Sequence, residues 1–126
     1  MNHQMVLRRI VAALPGYAYA FGDEKQFHDG LATALTEEGL TFTREHIAGP
    51  KDRFDFLCDG GVVIEAKIKG SWSEAIRQVD RYCAREDVTA AVIVVTRHWG
   101  VTGRLRSDTK LHGKPVRLVG VRGQAF

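Results

Sequence analysis

Apolar side chains recur along this chain with two different periods. Near the amino end, "MVLRRIVAAL" has the pattern of a short amphipathic helix, broken by Pro15 and Gly16. In "DEKQFHDGLATALTEEG", Phe27, Leu31, Ala34, Leu35 and Glu38 recur at helical spacing until Gly39 stops them, which predicts a second helix. Residues Thr41 to Ile47 read as a strand. Two further strands, near Phe54 to Cys58 and Val62 to Ile68, flank Asp59, Gly60 and Gly61 and form a predicted hairpin. "SWSEAIRQVDRYCARE" opens with Ser71 and Glu74 at capping-box spacing and carries Trp72, Ile76, Val79 and Cys83 as its apolar stripe. "VTAAVIVVT" is an unbroken apolar run, as expected of a strand covered on both faces. "PVRLVGVR" predicts a last strand, placed at an edge because Pro115 opens it. Strand, helix and strand in succession imply a crossover, hence a mixed central sheet flanked by helices in an α/β domain.

The hairpin turn sets a register. With Gly61 in the left-handed position, Cys58 faces Val62, Leu57 faces Val63, Phe56 faces Ile64 and Asp55 faces Glu65. One face then holds Phe54, Phe56, Cys58, Val62, Ile64, Ala66 and Ile68, all apolar. The other gathers Asp55, Glu65 and Lys67 at its far end. Two carboxylates forced that close repel each other, and one must take up a proton unless a cation lies between them. Mg²⁺ would resolve the conflict, since it accepts carboxylate oxygens, retains several waters and favours sites completed by a phosphate. The alternative is a strand end at the solvent boundary held by a cross-strand ion pair.

With 126 residues, 44% hydrophobic and 26% charged, the chain has room for one domain, residues 1–126. No apolar run is long enough to span a membrane and two arginines interrupt the amino-terminal one, so a cytoplasmic protein without a membrane partner is expected. Cys58 and Cys83 lack metal-ligand spacing and read as reduced core residues. The net charge is +3, but Arg97, Arg104, Arg106, Lys110 and Lys114 against Asp108 put +4 on one segment and leave −1 on the remainder. A basic segment on a near-neutral body suggests a polyanionic partner. Trp99, among glycines and arginines of the same long connection, could stack on a base while Arg97, Arg104, Arg106 and Lys110 meet phosphates; it could equally cover the end of the sheet.

"D, nine residues, EAK" resembles the Asp…(Glu/Asp)-x-Lys signature of the PD-(D/E)XK nuclease superfamily, with its restriction-endonuclease-like core of order αβββαβ. Gln78 and Tyr82 in "QVDRY" are similar to the Q-x-x-x-Y motif of its RecB-like and lambda-exonuclease-like branches. Glu24 stands where many members carry an acidic residue on the first core helix. Phe54 replaces the proline of the superfamily's name, and Asp52, a second candidate acid, falls outside the hairpin alternation. The resemblance implies a Mg²⁺-dependent deoxyribonuclease, with Mn²⁺ able to substitute. Asp55, Glu65 and the Ala66 carbonyl would hold the metal and Lys67 would serve the attacking water. Glu24 and Gln78 would assist, and Tyr82 would contact nucleic acid. DNA is the expected partner, at low sequence specificity. Exonuclease and branched-DNA endonuclease modes both stay open, as do a homodimer or larger homo-oligomer and a non-catalytic module that only binds nucleic acid.

Overall fold

The computed structural model describes residues 1–96 and 105–124. Its elements are α1 (His3–Ala13), β1 (Ala18–Tyr19), α2 (Glu24–Glu37), β2 (Phe42–Ile47), β3 (Arg53–Cys58), β4 (Val62–Lys67), α3 (Trp72–Cys83), β5 (Ala90–Thr96), β6 (Lys110–Leu111) and β7 (Lys114–Gly123). Each α-helix begins at a side-chain cap. Asn2, Asp23 and Ser71 accept the backbone N–H of Met5, Gln26 and Glu74. Such a bond satisfies one of the four orphan donors of a helix start and contributes about 1 kcal/mol. Gly39, at φ 74°, ends α2 where the sequence placed its stop.

The strands form one mixed sheet in the order β1-β7-β5-β4-β3-β2, with β6 hairpinned onto β7. Neighbours from β1 to β4 are parallel, and β4, β3 and β2 are antiparallel. Helices α1 and α2 cover one face, packing Val6, Ile10, Phe27 and Leu31 against Phe56, Ile64, Val92 and Val119. Helix α3 covers the other, setting Val79 and Cys83 on Ala91, Ile93 and Val95. All seven residues of β5 are buried, as its unbroken apolar run requires. Cys58 and Cys83 are buried and unpaired. Among the described residues no helix is long and apolar enough to cross a membrane.

Strand β7 is not an edge. It lies between β5 and β1, and the proline is tolerated because pairing with β5 begins only at Val116, so Pro115 owes that ladder no donor. Strands β1 and β6, two residues each, are too short for a period to reveal.

The hairpin keeps the expected register at Cys58–Val62, Leu57–Val63 and Phe56–Ile64. Its turn needs two left-handed residues, Gly60 at φ 78° and Gly61 at φ 84°. A Cβ on Gly61 would stand 2.8 Å from the Asp87 carbonyl oxygen. Gly61→Ala is therefore expected to destabilise the protein by about 1–3 kcal/mol, combining strained backbone with a clash. A urea midpoint equal to that of the unaltered protein would refute this.

At Asp55 the register departs from expectation. The ladder ends at Phe56–Ile64, and Asp55 Oδ2 instead accepts the Ala66 N–H at 2.8 Å. Across β2, pairs Arg44–Phe56 and His46–Phe54 flank Glu45, whose φ of 51° takes it out of the ladder. With the alternation broken, Phe54 leaves the face of Phe56. It joins Val63, Tyr82 and Val88 on the α3 side, edge-on to the Tyr82 ring at 4.8 Å.

Candidate functional site: a carboxylate cleft at the strand ends

Where β3 peels away from β4, the first turns of α2 and the middle of α3 close a cleft of about 350 Å³. Glu65 and Lys67 enter it from the end of β4, Asp55 from β3, Glu24 and His28 from α2, and Gln78 and Tyr82 from α3. The period of β4 aims Glu65 and Lys67 the same way, and Lys67 Nζ reaches Glu65 Oε1 at 3.2 Å. Glu65 is 3% exposed, yet its Oε2 has no hydrogen-bond partner among the described residues. The same holds for His28 Nε2, which lies 3.7 Å from Asp55 Oδ2 and 4.0 Å from Glu24 Oε2, too far for hydrogen bonds. Gln78 Oε1 is the third such atom. A buried polar atom without a partner costs about 1–3 kcal/mol. Three of them lining one cleft mark a place whose bonding a ligand would complete.

Burial pushes the Glu65 carboxyl up to about 8, the negative Asp55 adding to the shift and Lys67 opposing it. A carboxyl that holds its proton more tightly folded than unfolded confers stability that is complete below its ordinary value of 4.5 and is lost as pH rises toward 8. The metal-free protein should therefore lose melting temperature across that window, and Glu65→Gln should flatten the decline. Asp29, Asp52 and Asp87, whose carboxyls arginine and lysine partners hold below the usual range, lose their contribution only at lower pH and leave the window clear. An equally steep decline in Glu65→Gln would assign the effect elsewhere.

A divalent cation would reverse the cost of charging Glu65. Asp55 and Glu65 could supply the oxygens for one, and the orphaned Glu65 Oε2 is the atom that would gain most. Among the described residues no three His, Cys, Asp or Glu side chains stand at metal-ligand spacing. The Ala66 N–H, already bonded to Asp55, ties the two carboxylate-bearing strands together. His28 is a further donor at this site that the sequence reading did not single out. Its position one helical turn after Glu24, on the inward side of α2, was the available signal.

Tyr82, expected to contact nucleic acid, forms a wall of the cleft. It is 2% exposed, and its hydroxyl donates to the Arg53 carbonyl at 3.1 Å. Asp52 is engaged by Arg81 Nε at 2.6 Å and Arg85 Nη1 at 3.2 Å, which fasten the start of β3 to α3. Of the basic segment, Arg106 is exposed and bonded to Asp108. Lys110 pairs with Pro115, level with Val62 at the opposite end of the parallel strands. Five residues of β4 separate that level from Lys67, about 16 Å along the strand. Neither residue belongs to the cleft, because β6 folds back at the start of β7. Arg97, Trp99 and Arg104 lie outside the described residues. The cations that do line the cleft are Lys51, Arg53 and Arg81, which share "KDRFD" or α3 with the site residues. No family model, characterised protein or solved structure matches the chain.

Proposed function

We propose that this chain is a divalent-metal-dependent nuclease of the PD-(D/E)XK type that hydrolyses phosphodiester bonds in DNA. The observation carrying the reading is that Asp55, Glu65 and Lys67 meet in one cleft, with a buried Glu65 oxygen left without a partner. The succession α2-β2-β3-β4-α3-β5 supports it, being the element order of that superfamily's restriction-endonuclease-like core. Asp55 and Glu65 would hold Mg²⁺, or Mn²⁺ in its place. When bound, the ion supplies Lewis-acid polarisation of a phosphate oxygen and offsets the charge of the two carboxylates.

The chain's own groups do the rest. In the hydrolysis the oxygen of water forms a bond to phosphorus as one ester P–O bond breaks; water gives up a proton and the departing oxygen takes one. Lys67, 23% exposed at its side chain, extends from Glu65 toward the open part of the cleft, where it orients the water and balances charge developing on the phosphate. Gln78 Oε1 accepts a hydrogen from the same water or from a sugar hydroxyl. Lys51 and Arg53 at the rim face the polyanion. Glu24 and His28 fix the α2 side of the cleft around Asp55.

Purified protein incubated with linear, circular, single-stranded and four-way-branched DNA tests the reading. Cleavage is expected with Mg²⁺ and with Mn²⁺ and none in EDTA, and the products separate end-directed from internal attack. Binding without cleavage in either metal would leave only the non-catalytic module.

A further inference from the structure

A cavity of about 760 Å³, larger than the carboxylate cleft, lies elsewhere on the protein. It lies on the α1 face of the sheet, between α1 and the first half of β7, near the end where β6 folds back. Arg8 from α1, Lys110 from β6 and Arg117 from β7 line it, and no Asp or Glu does. Elsewhere among the described residues several cations have a carboxylate: Arg44 pairs with Asp29, Arg53 with Glu45, and Arg81 and Arg85 with Asp52. Here three cations line one cavity whose lining includes no carboxylate, which favours an anionic ligand. Arg117 is half-buried and held in place, its Nη1 donating to the Thr109 and Val116 carbonyls, so its guanidinium is oriented before any ligand arrives. Leu7, Val11 and Pro115 form an apolar wall beside the cations.

A cavity of this size, lined by cations and by apolar side chains next to them, matches one small ligand with an anionic head and an apolar body. We propose that it binds a nucleoside monophosphate, with the phosphate among Arg8, Lys110 and Arg117 and the base against Leu7, Val11 and Pro115. The nucleotide can be free or can be the phosphorylated end of a strand, since both present the same chemistry. The site stands apart from the carboxylate cleft and does not depend on the nuclease reading.

Calorimetric titration of the full chain in EDTA, at low ionic strength, tests this with deoxyadenosine monophosphate, inorganic phosphate and deoxyadenosine. Saturable one-to-one binding of the nucleotide is expected, at least about tenfold tighter than either fragment because both halves of the cavity are then filled. Arg8→Gln combined with Lys110→Gln, both exposed and so harmless to folding, should weaken it about tenfold or more. Glu65→Gln should leave it unchanged. A 5′-phosphorylated single-stranded oligonucleotide that displaces the nucleotide identifies the strand end as the ligand, and failure to displace it identifies the free nucleotide. Non-saturable binding, equal affinity for deoxyadenosine, equal affinity in the double variant, or loss of binding in Glu65→Gln would each overturn the proposal.

Discussion

Glu65→Ala is expected to abolish metal-dependent cleavage while leaving the protein folded. The carboxylate is held on β4 between β3 and β5, and it is buried beside Asp55. With it gone, one of the two carboxylates available for a divalent ion is removed and Lys67 loses the oxygen that positions it. The expected fall in turnover is on the order of 10³ or more, as when a group that organises transition-state charge is deleted. Stability should hold or rise near neutral pH, because a carboxyl that resists ionisation is costly to the native state there. Calorimetric Mg²⁺ titration, thermal unfolding and cleavage assays on one preparation separate these effects. Turnover within a few-fold of the unaltered protein would sink the central claim, and a collapsed melting temperature would turn Glu65 into a structural residue.

Lys67→Met should retain the fold and most metal binding yet lose on the order of 10² or more in rate. Methionine keeps the aliphatic length that packs against the strand end and removes the charged nitrogen 3.2 Å from Glu65. A smaller second effect follows from the same contact. Lys67 is what pulls the Glu65 carboxyl down against burial and Asp55, so its removal should make Glu65 harder to ionise and weaken Mg²⁺ binding more at pH 7 than at pH 9. Lys67→Arg, which restores charge with a wider, forked head, should recover metal affinity better than turnover. Normal cleavage by Lys67→Met together with easier unfolding would make the lysine an ion-pair strut.

Most of the elements, and the meeting of Asp55, Glu65 and Lys67, could be read from the sequence because each rested on a local signal. The caps, the turn glycines and the period of the hairpin are all written within a few residues. The details of Asp55 were not legible, since its bond to the Ala66 N–H and the displacement of Phe54 follow from competition between a side-chain acceptor and the ladder. Residues brought in from other elements were equally hidden. His28 on α2 and Arg81 on α3 reach the cleft through helix packing; helical spacing puts them near Glu24 and Gln78 but does not say which helices meet the hairpin. Where the basic segment sits was hidden for a related reason, since the β6–β7 fold-back that carries Lys110 away from the cleft joins elements two residues and ten residues long without a periodic signal.

The left-handed backbone of Glu45 bears on how copies of this chain behave in concentrated solution. Among the described residues strand β2 is the last of the sheet, with no strand on one side of its backbone, and Ile47 at its end is 75% exposed. A flat edge of that kind invites a second chain to add itself and start an aggregate. At Glu45 the backbone turns out of line, and the charged side chains of Arg44 and Glu45 are engaged by Asp29 and Arg53. An incoming strand could match only a few residues on either side before losing its partners. The same distortion that lies opposite Asp55 thus interrupts the edge, so that the carboxylate cleft sits beside a strand poorly shaped for adding another.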